Sequence, residues 1–280
     1  MSAVDLTISG STAGPRFRWA VSDALTMTRR NLTHVRRVPE KLMDVTIQPI
    51  MFVLLFAYVF GSAIAVPGGG NYREFLMAGI FAQSMAFTAG GTAVSVADDM
   101  AKGIIDRFCS LPMARSAVLV GRTIADLLAS VLGMTIMAGC GLLVGWRAHE
   151  GVLQTLAGFG LLLLFGYAMS WAGTFVGLMV RTPEVAQTIV FVVLFSITFV
   201  ANTFVPTAGM PAVLRVVADW NPISATVAAC RDLFGNPGAI QTSTAWPLQH
   251  PVLASAGWSL LLLAIFIPLA VTRYRTATSR

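Results

Sequence analysis

Charged residues are scarce in this sequence, and so are the residues from which most catalytic and metal sites are built. Asp, Glu, Lys and Arg make up 11% of the 280 residues, while 56% are hydrophobic and the mean hydropathy is +0.74. Soluble domains carry about 25% charged residues, so the composition excludes an ordinary soluble globule. Lysine occurs only as Lys41 and Lys102, and neither follows a glycine. A phosphate-binding loop of the form G-x-x-x-x-G-K-[ST] needs that lysine beside a run of backbone amides, so the chain carries no ATPase of that type. Three cysteines (Cys109, Cys140, Cys230) and three histidines (His34, His149, His250) are too dispersed for a disulfide framework or a metal cluster. The pair His149-Glu150 lacks the second histidine of a zinc protease, no Ser-His pair shares a depth, and no two carboxylates converge. No repeat of fixed period appears.

Long apolar runs, in contrast, are plentiful. Six segments are long enough to span a bilayer: 45–65, 75–97, 123–145, 152–180, 185–205 and 251–272. The reading is an all-α integral membrane protein with six transmembrane helices. Six crossings put both termini on one side, and Lys/Arg placement decides which. With both termini inside, seven of the nineteen basic residues fall in 1–41, four in the 98–122 loop, one at Arg181 and three in the tail. Only Arg73, Arg147, Arg215 and Arg231 are left outside. The net charge of +6 thus expresses topology and contact with anionic lipid. Nucleic-acid binding would need a solvated basic domain, and none is present. In this arrangement Cys109 lies inside, Cys140 in mid-membrane and Cys230 outside.

Residues 1–15 form a polar Ser/Thr/Gly-rich tail, expected to be disordered and without the apolar core and cleavage site of a secretory signal. From 16 to 41, Phe17, Val21, Ala24, Thr28, Leu32 and Val35 recur at helical spacing, with most arginines off that stripe. This predicts an amphipathic helix in the cytoplasmic interface, although a merely orienting basic flank has the same charge signature. The six spans then occupy 42–280. Pro49 is expected to kink the first, and "PGGGN" at 67 is a flexible outer turn. "RTPEVAQ" at 181 is a tight inner one, in which Thr182 caps, Pro183 takes the first helical position and Glu184 faces the positive helix end. Spans four and five should therefore form an antiparallel hairpin. Between 204 and 250 the chain is apolar but broken by Pro and Gly. Two helices too short to span are expected near 210–219 and 222–234, the second begun by Asn221-Pro222 and both seated in the outer membrane half.

The stretch "GIIDRFCSLPMARSAVLVGR" at 103–122 is a compact amphipathic island in the loop between spans two and three. Ile104, Phe108 and Leu111 share one helical face with Ile105 at its edge, whereas Asp106, Cys109 and Ser110 point away, and Pro112 stops the element. Such a helix either lies on lipid or acts as an apolar knob, rimmed by charge, that docks in a groove of a soluble partner.

At this point the chain resembles a known family. "VADDMAKGIIDRFCSLPMARSAVLVGRTIADLL" is similar to the inner loop of the membrane subunits of ATP-binding-cassette type-2 exporters, in particular the daunorubicin-resistance-type drug permeases. The matching positions are Asp99, Gly103, Ile104 and Ile105, Arg107, Leu111-Pro112, Arg115, Gly121-Arg122 and Asp126. "RRVPEKLMDVTIQPIMFVLLFAYVFG" at 36, "LMVRTPE" at 178 and "NTFVPTAGMPAVLRVVADWNP" at 202 also resemble stretches of that family, in the same order. Asp99 departs from the glutamate of many relatives but keeps the charge. The resemblance implies a half-transporter permease of the bacterial inner (plasma) membrane, working with a second copy or a sister permease. It implies that a separate ATPase subunit holds the ATP and Mg, and that Asp99, Gly103, Ile104, Ile105, Arg107, Phe108, Leu111, Pro112 and Arg115 form the coupling helix on which that subunit docks. The 16–41 helix becomes the connecting helix, and the broken outer stretch a re-entrant pair.

The substrate path is harder to read. Gln83, Thr88, Gln187, Thr198 and Asn202 are polar groups within spans, and Phe87, Trp171 and Phe195 offer faces for a planar lipophilic drug or a lipid. Polar groups in spans also serve simply to tie helices together, at about 0.6 kcal/mol each. A proton-coupled secondary transporter is the alternative function. It would need an acid near a span centre, whereas Asp126 sits one turn inside span three and is expected to pair with Arg122.

Overall fold

The computed structural model describes residues 72–103, 115–204, 210–236 and 245–277, together with 47, 50, 51 and 53–60. The N-terminal tail, the 16–41 helix, the turn at 67 and positions 104–114 of the island lie outside the described residues. So does part of the first span, whose described part is helical with a π-helical turn, Leu55–Phe60. All regular structure among the described residues is helical: α1 (Tyr72–Ala101), α2 (Arg115–Val144), α3 (Val152–Met179), α4 (Pro183–Val200), α5 (Ala212–Asp219), α6 (Pro222–Phe234), α7 (Trp246–Gln249) and α8 (Pro251–Ala277). Five of these (α1, α2, α3, α4 and α8) are long and apolar enough to cross a membrane, and they coincide with expected spans two to six. The chain is a multi-pass membrane protein.

Helix α1 is the axis of the bundle. It packs along α3 and α4, and also meets α2 and α6. Its side chains explain this, because Ala78, Ala82, Ala86, Ala89, Ala93 and Ala97 recur at three- and four-residue steps and all are buried. Small residues let helices approach closely where lipid provides no hydrophobic drive between them. The closest approach is to α3, where a methyl group on Gly173 would overlap the backbone carbonyl of Ala89, and one on Gly177 would meet the Ala93 carbonyl and the Val96 side chain.

The expected hairpin of α3 and α4 is corrected in its packing. The turn forms as read, with Thr182 Oγ1 accepting from the Val185 amide at 3.5 Å and Pro183 opening the helix. Yet α4 leaves α3 and lies chiefly on α1, with Ala186, Val190 and Leu194 against Ala89, Ala93 and Ala97. The alanine face of α1 is the better groove for α4, since the face of α3 that could receive it is already filled by α1 and α8.

The broken stretch folds into two short helices as its punctuation predicts. Asn221 Oδ1 accepts from the Ile223 amide at 2.9 Å, and Pro222 opens α6. Gly235, at φ 65°, closes it in the left-handed conformation, and the Asn236 amide returns to the Arg231 carbonyl at 2.9 Å. Helix α5 exposes Val213, Val216, Val217 and then Trp220, an amphipathic face suited to the lipid interface. Helix α6 is buried almost throughout. An aromatic cluster of Phe81, Trp146, Phe159 and Phe234, with ring centroids 5.1–6.4 Å apart, fastens it to α1 and α3. Cys140 is half-buried and Cys230 fully buried, both as free thiols.

Candidate functional site

Two ends of the bundle concentrate polar chemistry. At the end where α1 and α2 run into the 104–114 segment, their side chains are joined by a ladder. Arg122 on α2 donates to the Asp99 carboxylate and to Ser95 Oγ, both on α1. One turn deeper, Thr92 Oγ1 donates to Asp126 Oδ2 at 2.7 Å. The pairing of Arg122 with Asp126 along one helix, expected from sequence, is thus replaced at Arg122 by an ion pair across two helices. The side chains decide this. Asp99, Ser95 and Thr92 follow one another at turn spacing on α1 and face Arg122 and Asp126, which do the same on α2.

Beyond the ladder, Lys102 pairs with Asp98 at 2.7 Å, in water. The hydrogen bond that the Lys102 ammonium donates to Asp98, and then the negative charge there and on Asp99, push its pKa above the ordinary range. Asp99 and Gly103 therefore lie at the rim of the loop, Gly103 with φ 62° where α1 turns out of helix. Arg115 is the first residue of α2. Ile104, Ile105, Arg107, Phe108, Leu111 and Pro112 fall outside the described residues.

The ladder gives a testable consequence. Replacing Arg122 with Ala strands a mostly buried carboxylate, a loss of about 1.5–3 kcal/mol in the range for hydrogen bonds to charged groups. Arg122→Ala should lower the detergent-solubilised melting temperature, and the exchange Asp99→Arg/Arg122→Asp should recover much of the loss. A double variant as unstable as the singles would show that the pair carries no coupling.

The proposed path residues separate into three groups and one residue that stands alone. Gln187 and Phe195 share the exposed face of α4, where Phe191, Phe195 and Phe199 stack at 5.4 and 4.2 Å between successive centroids. Gln83, Phe87 and Thr88 lie on α1. Gln83 is buried, and Thr88 Oγ1 ties the helices by donating to the carbonyls of Met85 and of Gly166 on α3, at 2.6 and 3.2 Å. Thr198 and Asn202 are buried at the far end of α4. Trp171 sits apart, packed with Val96, Leu178, Ala270 and Tyr274 between α3 and α8.

A profile of the ABC-2 type transporter family matches residues 23–234. The chain belongs to that family. The daunorubicin resistance ABC transporter permease protein of Streptomyces coeruleorubidus is 31% identical to this permease over 96% of the chain and 92% of the relative. A doxorubicin resistance ABC transporter permease protein of Mycobacterium tuberculosis is 26% identical over 80% of each chain. A probable doxorubicin resistance ABC transporter permease protein of the same species is 24% identical over 93% of this chain and 91% of that one.

The opposite end of the permease joins the starts of α1 and α3 to the end of α6. His149 Nε2 contacts Glu74 Oε1 at 3.0 Å, and Asn236 bridges Trp146 Nε1 (3.0 Å) and the Arg147 carbonyl (2.9 Å). Sequence reading missed this cluster, since its members lie more than 70 residues apart. The ladder at the loop end was missed too, although the spacings 92–95–99 and 122–126 could have revealed two polar stripes.

Proposed function

We propose that the chain is the transmembrane permease subunit of an ABC exporter, energised by a separate ATPase subunit docking on the 98–122 loop, and that it forms the path for efflux of a lipophilic drug or lipid. The observation that carries this reading is the ladder. The two helices that bracket the loop are pinned to each other by Arg122, Asp99, Ser95, Thr92 and Asp126, and one of them is the central α1. Force applied to the loop is delivered to the helix on which α3, α4 and α6 all pack. A knob that merely lay on lipid would need no such footing. The drug-resistance names of the relatives support an aromatic lipophilic substrate, and the phenylalanine ridge on α4 offers ring faces to one.

In this reading the permease has six spans in the bacterial inner membrane, both termini in the cytoplasm, and works with a second permease copy or a sister. ATP and Mg belong to the partner subunit. The test is efflux of daunorubicin from cells expressing the chain with its ATPase. Efflux should persist when the proton gradient is collapsed and stop when ATP is depleted, while the reverse pattern would establish the proton-coupled alternative. Single cysteines report topology: a probe at residue 69 should label from outside and one at 278 from inside, and the opposite result overturns the arrangement.

A further inference from the structure

Arg231 was counted from sequence among the outer positive charges, and it is only 5% exposed. Its described partners are an aromatic ring and three backbone carbonyls. The guanidinium carbon lies 3.5 Å from the centroid of Phe75, Nε donates to the Phe75 carbonyl at 3.2 Å, and Nη2 donates to the carbonyls of Asn202 and Thr203 at 3.0 and 3.3 Å. The last two belong to the segment where α4 has just ended. These two carbonyls lie just past the C-cap Ala201, so the guanidinium holds the turn that follows α4, beside the partial negative charge of the helix end. Neighbouring groups hold the same region. Asn221 Nδ2 donates to the Ile197 carbonyl at 2.8 Å, Ser224 Oγ accepts from the Asn202 amide at 3.0 Å, and Tyr72 donates to the Phe204 carbonyl at 3.4 Å. The segment lies so close on α1 that a methyl group on Gly79 would overlap the Thr203 carbonyl.

We propose that Arg231 is a positioning residue of the transport cycle, a latch that from within α6 grips the turn after α4 and holds the α5–α6 pair closed against the start of α1. Two observations favour a latch over mere packing. One side chain ties α6 both to the start of α1 and to the turn after α4, so loss of its hydrogen bonds frees these elements from one another. Moreover, Thr198 Oγ1, Asn202 Oδ1 and Thr203 Oγ1 are buried beside this turn without a hydrogen-bond partner among the described residues. Unpaired buried polar groups penalise the closed arrangement, and opening to water relieves the penalty. The closed state therefore carries a cost that opening removes, which suits an element that must open in every cycle. The role in transport rests on the permease reading above; the closure itself does not.

Cys230, adjacent in sequence and 0% exposed, is a native reporter of closure. In a Cys109→Ser/Cys140→Ala background, it should react slowly with a membrane-impermeant maleimide, added to intact cells and to inverted vesicles. Arg231→Met should raise its labelling rate at least tenfold and lower efflux. Arg231→Lys, which keeps the charge but not the fork, should fall between, with partial recovery of efflux. Phe75→Leu should raise labelling less. Wild-type labelling and efflux in Arg231→Met would overturn the proposal. If that variant fails to insert, wild-type labelling in both Arg231→Lys and Phe75→Leu would do so. Labelling needs neither drug nor ATPase, so failure of wild-type efflux would count against the permease reading and leave the latch to be decided by the thiol.

Discussion

Gly173→Val should prevent the permease from assembling its core. A side chain at 173 has no room, since even its first carbon would overlap the Ala89 carbonyl, and a backbone in mid-helix cannot turn aside as a flexible side chain would. Helices α1 and α3 must then separate along the contact that organises the bundle. Overpacking ordinarily costs about 1–3 kcal/mol, and occasionally more; a clash with backbone belongs at the upper end or beyond. The expected result is loss of the monodisperse peak on size exclusion in detergent and a lowered melting temperature, with Gly177→Val behaving alike. Gly160→Ala, on the same helix with open space around it, should be neutral or slightly stabilising through better helix propensity. Wild-type stability in Gly173→Val would mean that α1 and α3 do not approach as closely as described.

Phe108→Ala should abolish transport while leaving the membrane part intact. Phe108 is the largest apolar residue of the island, on the helical face shared with Ile104 and Leu111. Aromatic anchors of small interfaces typically cost about 2 kcal/mol or more when truncated, or roughly thirtyfold in affinity. Capture of the ATPase subunit by the purified permease should weaken by that factor and drug efflux should cease, with normal membrane insertion because no span is altered. Arg107→Ala, at the rim of the knob, should lose less, and its effect should shrink in high salt as screening removes the charge contribution. Cys109→Ser, on the opposite face, should be nearly silent. If Phe108→Ala captures the ATPase as the wild type does, the island is a helix lying on lipid and the docking reading fails.

Both predictions concern residues whose importance was unequally visible beforehand. Phe108 could be singled out from sequence because an amphipathic period of two turns interrupts an apolar chain. Gly173 could not. It is one of 25 glycines, and several others, including Gly91, Gly139 and Gly160, face open space. Only the position of α3 against α1 separates a glycine that admits a neighbouring backbone from one that does not. The ladder was partly legible: Asp99, Arg122 and Asp126 stood in the family's pattern, but their cross-helix partners Ser95 and Thr92 did not. The burial of Arg231 was not legible, because a count of basic residues by loop assigns each to a side of the membrane and carries no information about nearby carbonyls that could accept it.

The sequence by itself determined the helices. Apolar runs of about 20 residues place the spans, and the punctuation Thr182-Pro183, Asn221-Pro222 and Gly235 sets starts and stops to within a few residues, because hydrophobic length and capping act over one turn of chain. What only the tertiary structure decided is which helix lies on which: α4 against α1, the two-rung ladder beside the loop, and Arg231 turned inward onto the turn after α4, 28 positions from Thr203 along the chain. Those choices depend on the shape of small-residue grooves and on where unpaired carbonyls come to rest. Neither exists until the helices have met.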